Sequence, residues 1–185
     1  MMTAVLVVVI LLFSVILHEV AHGYVAFRLG DPTARFAGRL TLNPIKHMDP
    51  LGTVLLPLLL LLSGSRYLIG WAKPVPVNPH LLRDPKRGMM LVGAAGPLAN
   101  LALVLLSALA LRNLPSATPP LLVDILFYCC SINIILALFN LVPIPPLDGS
   151  RVVAGILPPQ LREPYNRLGR YGFFIILALL YLGLL

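Results

Sequence analysis

The sequence predicts an all-α polytopic membrane protein with about four transmembrane helices. Hydrophobic residues make up 58% of its 185 residues and charged residues only 11%, whereas soluble domains carry about 25% charged residues. Several apolar runs approach the roughly 20 helical residues that cross a bilayer. We therefore expect a single integral membrane domain over residues 1–185, with its core in 1–151 and a C-terminal helix at 171–185.

Four apolar runs are predicted to form the spans. They are Met2 to about Phe27, Gly88–Leu111, Leu121–Val142 and the shorter Tyr171–Leu185. A fifth run, Leu51–Leu62, contains Pro57 and has the length of a re-entrant or interfacial segment. We expect this fifth run not to cross the bilayer.

Basic residues are distributed unevenly between the predicted loops. If 51–62 does not cross, the loops 28–87 and 143–170 share one side, which then holds every Lys and Arg except Arg112. Cytoplasmic loops of membrane proteins show this enrichment, so both long loops are predicted to be cytoplasmic. The basic residues form no helical stripe and no patch interleaved with aromatic residues, and the net charge of +7 therefore does not predict nucleic-acid binding.

The stretch "HEVAH" places three ionisable residues within the first apolar run. On a helix His18 and His22, four residues apart, lie on one face and can hold one metal ion, while Glu19 lies beside the first ligand as a general base. Ionisable residues within a span are costly and usually functional. The motif therefore predicts a zinc site with the HExxH arrangement of metalloproteases.

Catalytic zinc needs a third protein ligand. His47 and His80 are candidates, but histidines in surface loops are more often solvated. Asp148 follows the third predicted span in "NLVPIPPLDGSR" and should emerge at the inner face, close to the depth of the HEVAH histidines. Had 51–62 crossed, Asp148 would lie about 30 Å away on the other side.

The motifs together resemble the site-2 protease family of intramembrane zinc metallopeptidases. "HEVAH" in one span is followed by "AGPLAN" in the next and by "NLVPIPPLDG" at the end of a later one, although Ser150 stands where the family often has glycine. The chain resembles a compact member with no PDZ or nucleotide-sensing module. The resemblance implies one Zn²⁺ per chain held by His18, His22 and Asp148, with Glu19 as catalytic base. It further implies substrate contacts from Asn140, Pro143 and Pro145, and Asn100 is a further candidate.

Other positions allow a structural and a functional interpretation. The stretch "GWAKPVPVNP" (70–79) resembles a membrane-associated strand region of some family members. Its prolines cannot donate the hydrogen bonds of a β-ladder, so an interfacial loop is favoured as much as a strand. Asn133 is expected to be structural, through hydrogen bonds between helices. Gly93 and Gly96 are expected to allow close helix packing.

The expected function is intramembrane zinc-dependent proteolysis. The substrates would be single-pass membrane proteins cut in or near their transmembrane segment, in a prokaryotic cell membrane, with the active site toward the cytoplasm. The alternative is a non-catalytic membrane zinc-binding protein or a zinc transporter. A transporter should line its path with several ionisable residues, and acids at membrane depth beyond Glu19 and Asp148 are essentially absent. The lipid bilayer is the other expected partner, and the oligomeric state stays open.

Overall fold

The computed structural model describes residues 2–64 and 72–183, and this part of the chain is helical with no β-strand. The eight α-helices of the described residues are α1 (Met2–Arg28), α2 (Thr33–Phe36), α3 (Leu56–Leu62), α4 (Pro85–Arg112), α5 (Pro120–Leu141), α6 (Asp148–Ile156), α7 (Pro159–Arg167) and α8 (Gly169–Tyr181). Short 3₁₀ turns occupy Pro44–His47 and Pro79–Leu81, and a π-helical turn occupies Pro50–Leu55.

Three helices form the membrane bundle. Helices α1, α4 and α5 contain 27, 28 and 22 residues, and each is long and apolar enough to cross a membrane. Helix α4 lies centrally, because it packs against α1, α5 and α6. The all-α membrane class and three of the four predicted spans are therefore confirmed.

The fourth predicted span is shorter than a full crossing. Helix α8 has 13 residues, which at 1.5 Å per residue covers about 20 Å of a hydrocarbon core about 30 Å thick. It is apolar, and Gly172 packs against the backbone of Pro145. The count of four spans is thus not confirmed by the described residues.

The ends of the long helices follow from local chemistry. Helix α4 begins at Pro85, whose missing N–H costs nothing in a first turn, and the Asp84 carboxylate accepts a hydrogen bond from Arg87 N at 3.0 Å. Helix α5 stops before the run Pro143–Pro146, because consecutive prolines remove backbone donors. A Cβ on Gly149 would lie 2.8 Å from Val142 O, so glycine lets α6 start directly beneath the end of α5.

The predicted re-entrant or interfacial run is helical but short. Asp49 caps it by accepting from Leu51 N and Gly52 N at 3.0 and 2.8 Å, and the π-helical turn then continues into α3. The exposed leucines of α3 present an apolar surface. From Pro50 to Leu62 the run is too short to cross about 30 Å.

Residues 72–78, termed the strap, connect this region to α4. The strap is not a strand, so the strand prediction for 70–79 is not confirmed in its described part, and residues 70 and 71 lie outside the described residues. Its two prolines cannot donate to a ladder. The strap is held by single contacts instead: the Arg39 guanidinium donates to Lys73 O, and Asp31 Oδ2 accepts from Asn78 N at 2.6 Å.

Candidate metal centre

His18 and His22 lie one turn apart on the same face of α1. Both are buried, with 6% and 4% of their surface exposed. Their rings meet edge to face with centroids 4.6 Å apart, and their Nε2 atoms are 3.0 Å apart. The i, i+4 spacing thus brings two ligand nitrogens together, as the motif predicted.

Asp148 joins these histidines from the first residue of α6. Its Oδ2 atom lies 3.0 Å from Nε2 of each histidine. Its other oxygen, Oδ1, accepts from Nη1 of Arg151 at 3.1 Å. Arg151 therefore occupies one side of the carboxylate and leaves the other to the histidines. Among the described residues, these three form the group whose ligand atoms lie close enough together to hold a metal ion.

The outward-facing ring nitrogens determine which tautomer each histidine adopts. Nδ1 of His18 lies 2.6 Å from Oδ1 of Asn100, and Nδ1 of His22 lies 2.6 Å from the carbonyl oxygen of Val92. Both partners are acceptors only, so each Nδ1 carries the proton. Each Nε2 then presents a lone pair to the centre of the cluster.

The orientation of the Asn100 amide is itself fixed by a chain of hydrogen bonds. Asn100 Nδ2 donates to Asn133 Oδ1 at 2.7 Å. Asn133 Nδ2 donates to Ser14 Oγ and to Cys129 O at 2.9 and 2.8 Å. Both asparagines are fully buried. Because the Asn133 amide nitrogen donates to these two groups, its oxygen faces Asn100, and the Asn100 oxygen faces His18.

Gly96 of α4 makes room for the two imidazoles. A Cβ at this position would lie 2.5 Å from both Cε1 and Nε2 of His18 and would also clash with Nε2 of His22. Gly93, one turn earlier, faces α6 instead, where a Cβ would lie 3.0 Å from Asp148 O. The helix-packing interpretation thus holds for Gly93, whereas Gly96 opens space at the ligand atoms.

The three atoms fit a zinc ion. Tetrahedral coordination with bonds of about 2.0–2.1 Å places neighbouring ligand atoms about 3.3 Å apart, close to the three 3.0 Å separations. Two lone pairs and a carboxylate facing one another in a buried space need a cation between them. A divalent metal satisfies all three at once, and two imidazoles with one carboxylate form a known catalytic zinc set.

Asp148 has the charge that a ligand needs. Burial by itself would raise the pKa of its carboxyl group, but hydrogen bonds from His18 and His22 outweigh burial and hold the pKa below its usual range. The rings donate these bonds from Nε2 when they are protonated and no metal is bound; with a metal bound, the cation itself keeps the carboxylate charged. The carboxylate is therefore ionised at neutral pH.

Glu19 lies next to His18 in the sequence and is not part of the three-residue cluster. Its Oε2 atom accepts a hydrogen bond from Val75 N at 2.8 Å. The strap thus holds the carboxylate of the predicted base through a backbone N–H, at a position flanked by two prolines that have none.

The remaining candidates occupy different places. Asn140 donates to Leu136 O of its own helix at 2.9 Å, and Pro143 O accepts from the Tyr165 hydroxyl at 2.8 Å. His80 is exposed. His47 is 2% exposed, so the expectation that it is solvated was wrong; its Nε2 contacts Thr41 O at 2.8 Å. Neither histidine is near enough to complete the cluster.

Four contributors were not placed at the site from the sequence. Asn133 and Gly96 were predicted only to hydrogen-bond or pack between helices, and Asn133 does form such bonds. Asn133, Gly96, Arg151 and Val75 each contact a site residue or its direct partner. Asn133 carried a usable signal, because a polar side chain in an apolar span is usually functional. Gly96, Arg151 and Val75 carried no sequence signal that distinguishes them from other residues of the same type.

An HExxH helix completed by a carboxylate from a later helix, within a bundle of apolar helices, defines an integral membrane metalloprotease. Comparison with known proteins agrees: the family described as Peptidase family M50 matches residues 115–183. The chain belongs to this family, the site-2 protease family, and is a zinc metalloprotease that uses one zinc ion.

Bacterial relatives match almost the whole chain. It is 41% identical to "Putative zinc metalloprotease YwhC" of Bacillus subtilis over 93% of this chain and 78% of that protein. It is 31% identical to "Putative zinc metalloprotease Rip2" of Mycolicibacterium smegmatis over 91% of this chain and 64% of that protein. It is 30% identical to "Putative zinc metalloprotease Rip3" of Mycobacterium tuberculosis over 95% of this chain, which spans only 38% of that longer protein. No solved structure matches the chain.

Proposed function

We propose that this chain cleaves single-pass membrane proteins within or near their transmembrane segment. His18, His22 and Asp148 hold the zinc ion, and Glu19 is the catalytic base. The observation that carries the proposal is the meeting of two Nε2 lone pairs and one carboxylate oxygen at 3.0 Å in a buried space.

When bound, zinc supplies Lewis acidity that polarises a peptide carbonyl and lowers the pKa of water to about 7. The Glu19 carboxylate removes the proton from the attacking water and passes it to the departing amine. The hydrogen bond from Val75 N holds one carboxylate oxygen. The other has no hydrogen bond within residues 2–64 and 72–183 and would exchange that proton. Asn100 and Val92 keep both imidazoles in the tautomer that presents Nε2 inward.

The depth of the site explains why the substrate would be a membrane segment. His22 lies six residues before Arg28, the last residue of α1, and therefore about 9 Å from that helix end. The non-helical run after α5 lies beside the site, and such backbone is tolerated at membrane depth next to a water-filled cavity. A substrate helix must unwind locally before its peptide bonds reach the centre.

Substrate contacts are assigned to the last turn of α5 and the segment that follows it. Asn140, Pro143 and Pro145 lie just before Asp148 in the chain, so an unwound substrate held near the metal would pass them. Asn100 is fully buried and directs its amide groups to His18 and Asn133, so we assign it to supporting His18 rather than to touching substrate.

The basic loops orient the site toward the cytoplasm. The organisms of the relatives above are bacteria, which supports a prokaryotic cell membrane. We assign the activity to residues 1–185 acting as one domain, with its core in 1–151.

The test compares wild type, Glu19→Gln and His18→Ala, each reconstituted in lipid vesicles with a single-pass model substrate. Glu19→Gln should retain zinc and keep an oxygen for Val75 N, yet lose about 10²- to 10⁴-fold in cleavage rate. His18→Ala should lose zinc and cleavage together. Full activity of Glu19→Gln contradicts the mechanism.

A second substrate tests where cleavage occurs. A transmembrane segment with a central Gly-Pro pair should be cut faster than an otherwise identical leucine segment, because glycine and proline weaken the helix. Equal cleavage of both, or cleavage confined to the soluble part, contradicts the intramembrane assignment. Zinc flux across the vesicles without any proteolysis would favour a transporter instead.

A further inference from the structure

A cavity lined by several basic side chains lies at the same end of the bundle as the metal centre. It has a volume of about 400 Å³ and is formed by the first turns of α4, by α6 and by α7. Ligand cavities usually have about 300–1,000 Å³. The lining includes Lys86, Met89, Ser150, Arg151, Arg162 and Asn166.

The cavity is strongly positive. Lys86, Arg151 and Arg162 line it, and no acidic residue is among its lining residues. Within the described part of the chain Lys86 forms no ion pair, and Arg151 is the cation that has one, with Asp148. Nη2 of Arg162 donates a hydrogen bond to Leu157 O at 3.3 Å. The buried Nε of Arg162 has no hydrogen-bond partner among residues 2–64 and 72–183.

Neighbouring basic residues behave differently. Arg87, next to Lys86, is paired with Asp84 at 3.8 Å, and Arg167 of α7 is paired with Glu163 at 3.5 Å. Neither lines the cavity. Arg87 and Arg167 are thus paired and lie outside the cavity. Lys86 and Arg162 line the cavity and have no ion pair among the described residues.

We propose that this cavity binds an anionic phosphate group. Guanidinium and ammonium groups are the side chains that bind phosphate oxygens, and a buried guanidinium N–H without an acceptor needs one. The chemistry suits the headgroup of an anionic phospholipid or a free phosphate ion. The proposal does not rest on the proposed proteolysis, although the cavity shares Arg151, which contacts Asp148, and Pro145 with the site region.

The position of the cavity agrees with a lipid source. Lys86 is the second residue of α4, at the end of a span where headgroups lie. Basic pockets between helices on the cytoplasmic side commonly bind such headgroups. Ile156 at the end of α6 and Leu161 of α7 are 70% and 57% exposed, so apolar surface for acyl chains adjoins the cavity.

The test uses the purified full chain with two matched double variants. Lys86→Gln/Arg162→Gln removes two cavity charges, whereas Arg87→Gln/Arg167→Gln removes two charges from the same helices outside the cavity. Arg151 is left unchanged, because it contacts Asp148. Phosphatidylglycerol binding is measured by native mass spectrometry, with phosphatidylcholine for comparison, and inorganic phosphate binding is measured by calorimetry in detergent.

We expect the cavity variant to weaken binding about tenfold or more and the control variant less than twofold. Lys86→Gln alone, at an exposed position, should weaken binding severalfold, so poor folding of the Arg162 variant cannot hide the effect. If the cavity variant loses phosphatidylglycerol binding, the ligand is a lipid headgroup. If it loses only inorganic phosphate binding, the ligand is the free ion. Equal losses in both double variants, no loss in either, or binding only of a phosphate-free acidic peptide overturns the proposal.

Discussion

Nδ1 of His18 lies 2.6 Å from Oδ1 of Asn100, and this contact decides which nitrogen of the imidazole faces the metal centre. The side-chain amide of Asn100 cannot flip to present its NH₂ group to His18. In the flipped position Asn100 Nδ2 would lose its hydrogen bond to Asn133 Oδ1. The predicted zinc ligand is thus oriented by two asparagines from two other helices. Such supporting hydrogen bonds raise the basicity of a ligand and fix its ring.

Replacing Asn133 should therefore weaken zinc binding without touching a ligand. Asn133→Ala removes the acceptor for Asn100 Nδ2 and frees the Asn100 amide to rotate. We expect a loss of about 10- to 100-fold in zinc affinity, as for other supporting partners of zinc-bound histidines. Competition with a chromophoric chelator measures it.

Two further variants separate positioning from general stability. Ser131→Ala, on the same helix, removes only a bond to Phe127 O and should leave zinc affinity unchanged. Asn133→Asp keeps an acceptor for Asn100 and should recover part of the affinity. If Ser131→Ala and Asn133→Ala lower zinc affinity equally, the chain of hydrogen bonds has no specific role.

Gly96→Ala should abolish zinc binding. Glycine-to-alanine changes in helices normally stabilise the fold by about 0.5–1 kcal/mol, but here the new methyl group would occupy the space of both imidazole Nε2 atoms. The matched control is Gly169→Ala, where the added Cβ would lie 3.4 Å from Pro145 Cβ, an ordinary contact. Zinc content after dialysis is the measurement, and full zinc content in Gly96→Ala would contradict the assigned geometry.

Zinc should be released as the pH falls. Zinc binds neutral imidazoles, and free histidine titrates near about pH 6.5, so proton competition begins below that value. The pKa of Asp148 lies below its usual range. The ionised carboxylate therefore contributes fully to stability above the ordinary carboxyl pKa, and this contribution is lost only as the pH falls through the lowered pKa.

The histidines are thus expected to lose the metal while Asp148 is still ionised. Measuring bound zinc against pH should give a single acidic release with a midpoint below about 6.5. Release that instead begins on raising the pH from neutrality toward 8 would show that the ligand set is wrong.

Val75→Pro tests the contact between the strap and Glu19. The substitution removes the backbone N–H that donates to Glu19 Oε2 at 2.8 Å. A misplaced catalytic group can cost up to about 10²-fold in rate, and we expect about a tenfold loss of kcat with zinc retained. Val75→Ala keeps the N–H and is the reference; higher activity in Val75→Pro than in Val75→Ala would mean that the strap restrains the base.

Much of the fold could be predicted because its signals are local. The lengths of the apolar runs predicted three full spans, and the failure of 51–62 to reach a crossing length was visible from its residues. The fourth span is not confirmed: Tyr171–Leu185 is apolar to its end, whereas α8 runs from Gly169 to Tyr181 in the described part of the chain. The strand predicted for 70–79 rested on alternating valines, and the prolines between them prevented a ladder.

By itself the sequence determined that His18 and His22 share a helix face, since that follows from a four-residue spacing and a helical period of 3.6. It also indicated the side of the membrane on which Asp148 emerges. The tertiary structure decided the rest: the 3.0 Å approach of Asp148, the Asn133–Asn100–His18 hydrogen bonds, the space left by Gly96 and the bond from Val75 to Glu19. These relationships join residues from 33 positions apart (Asn100 and Asn133) to 130 positions apart (148 − 18, His18 and Asp148). Packing between helices sets them, because no local pattern in the chain encodes such distances.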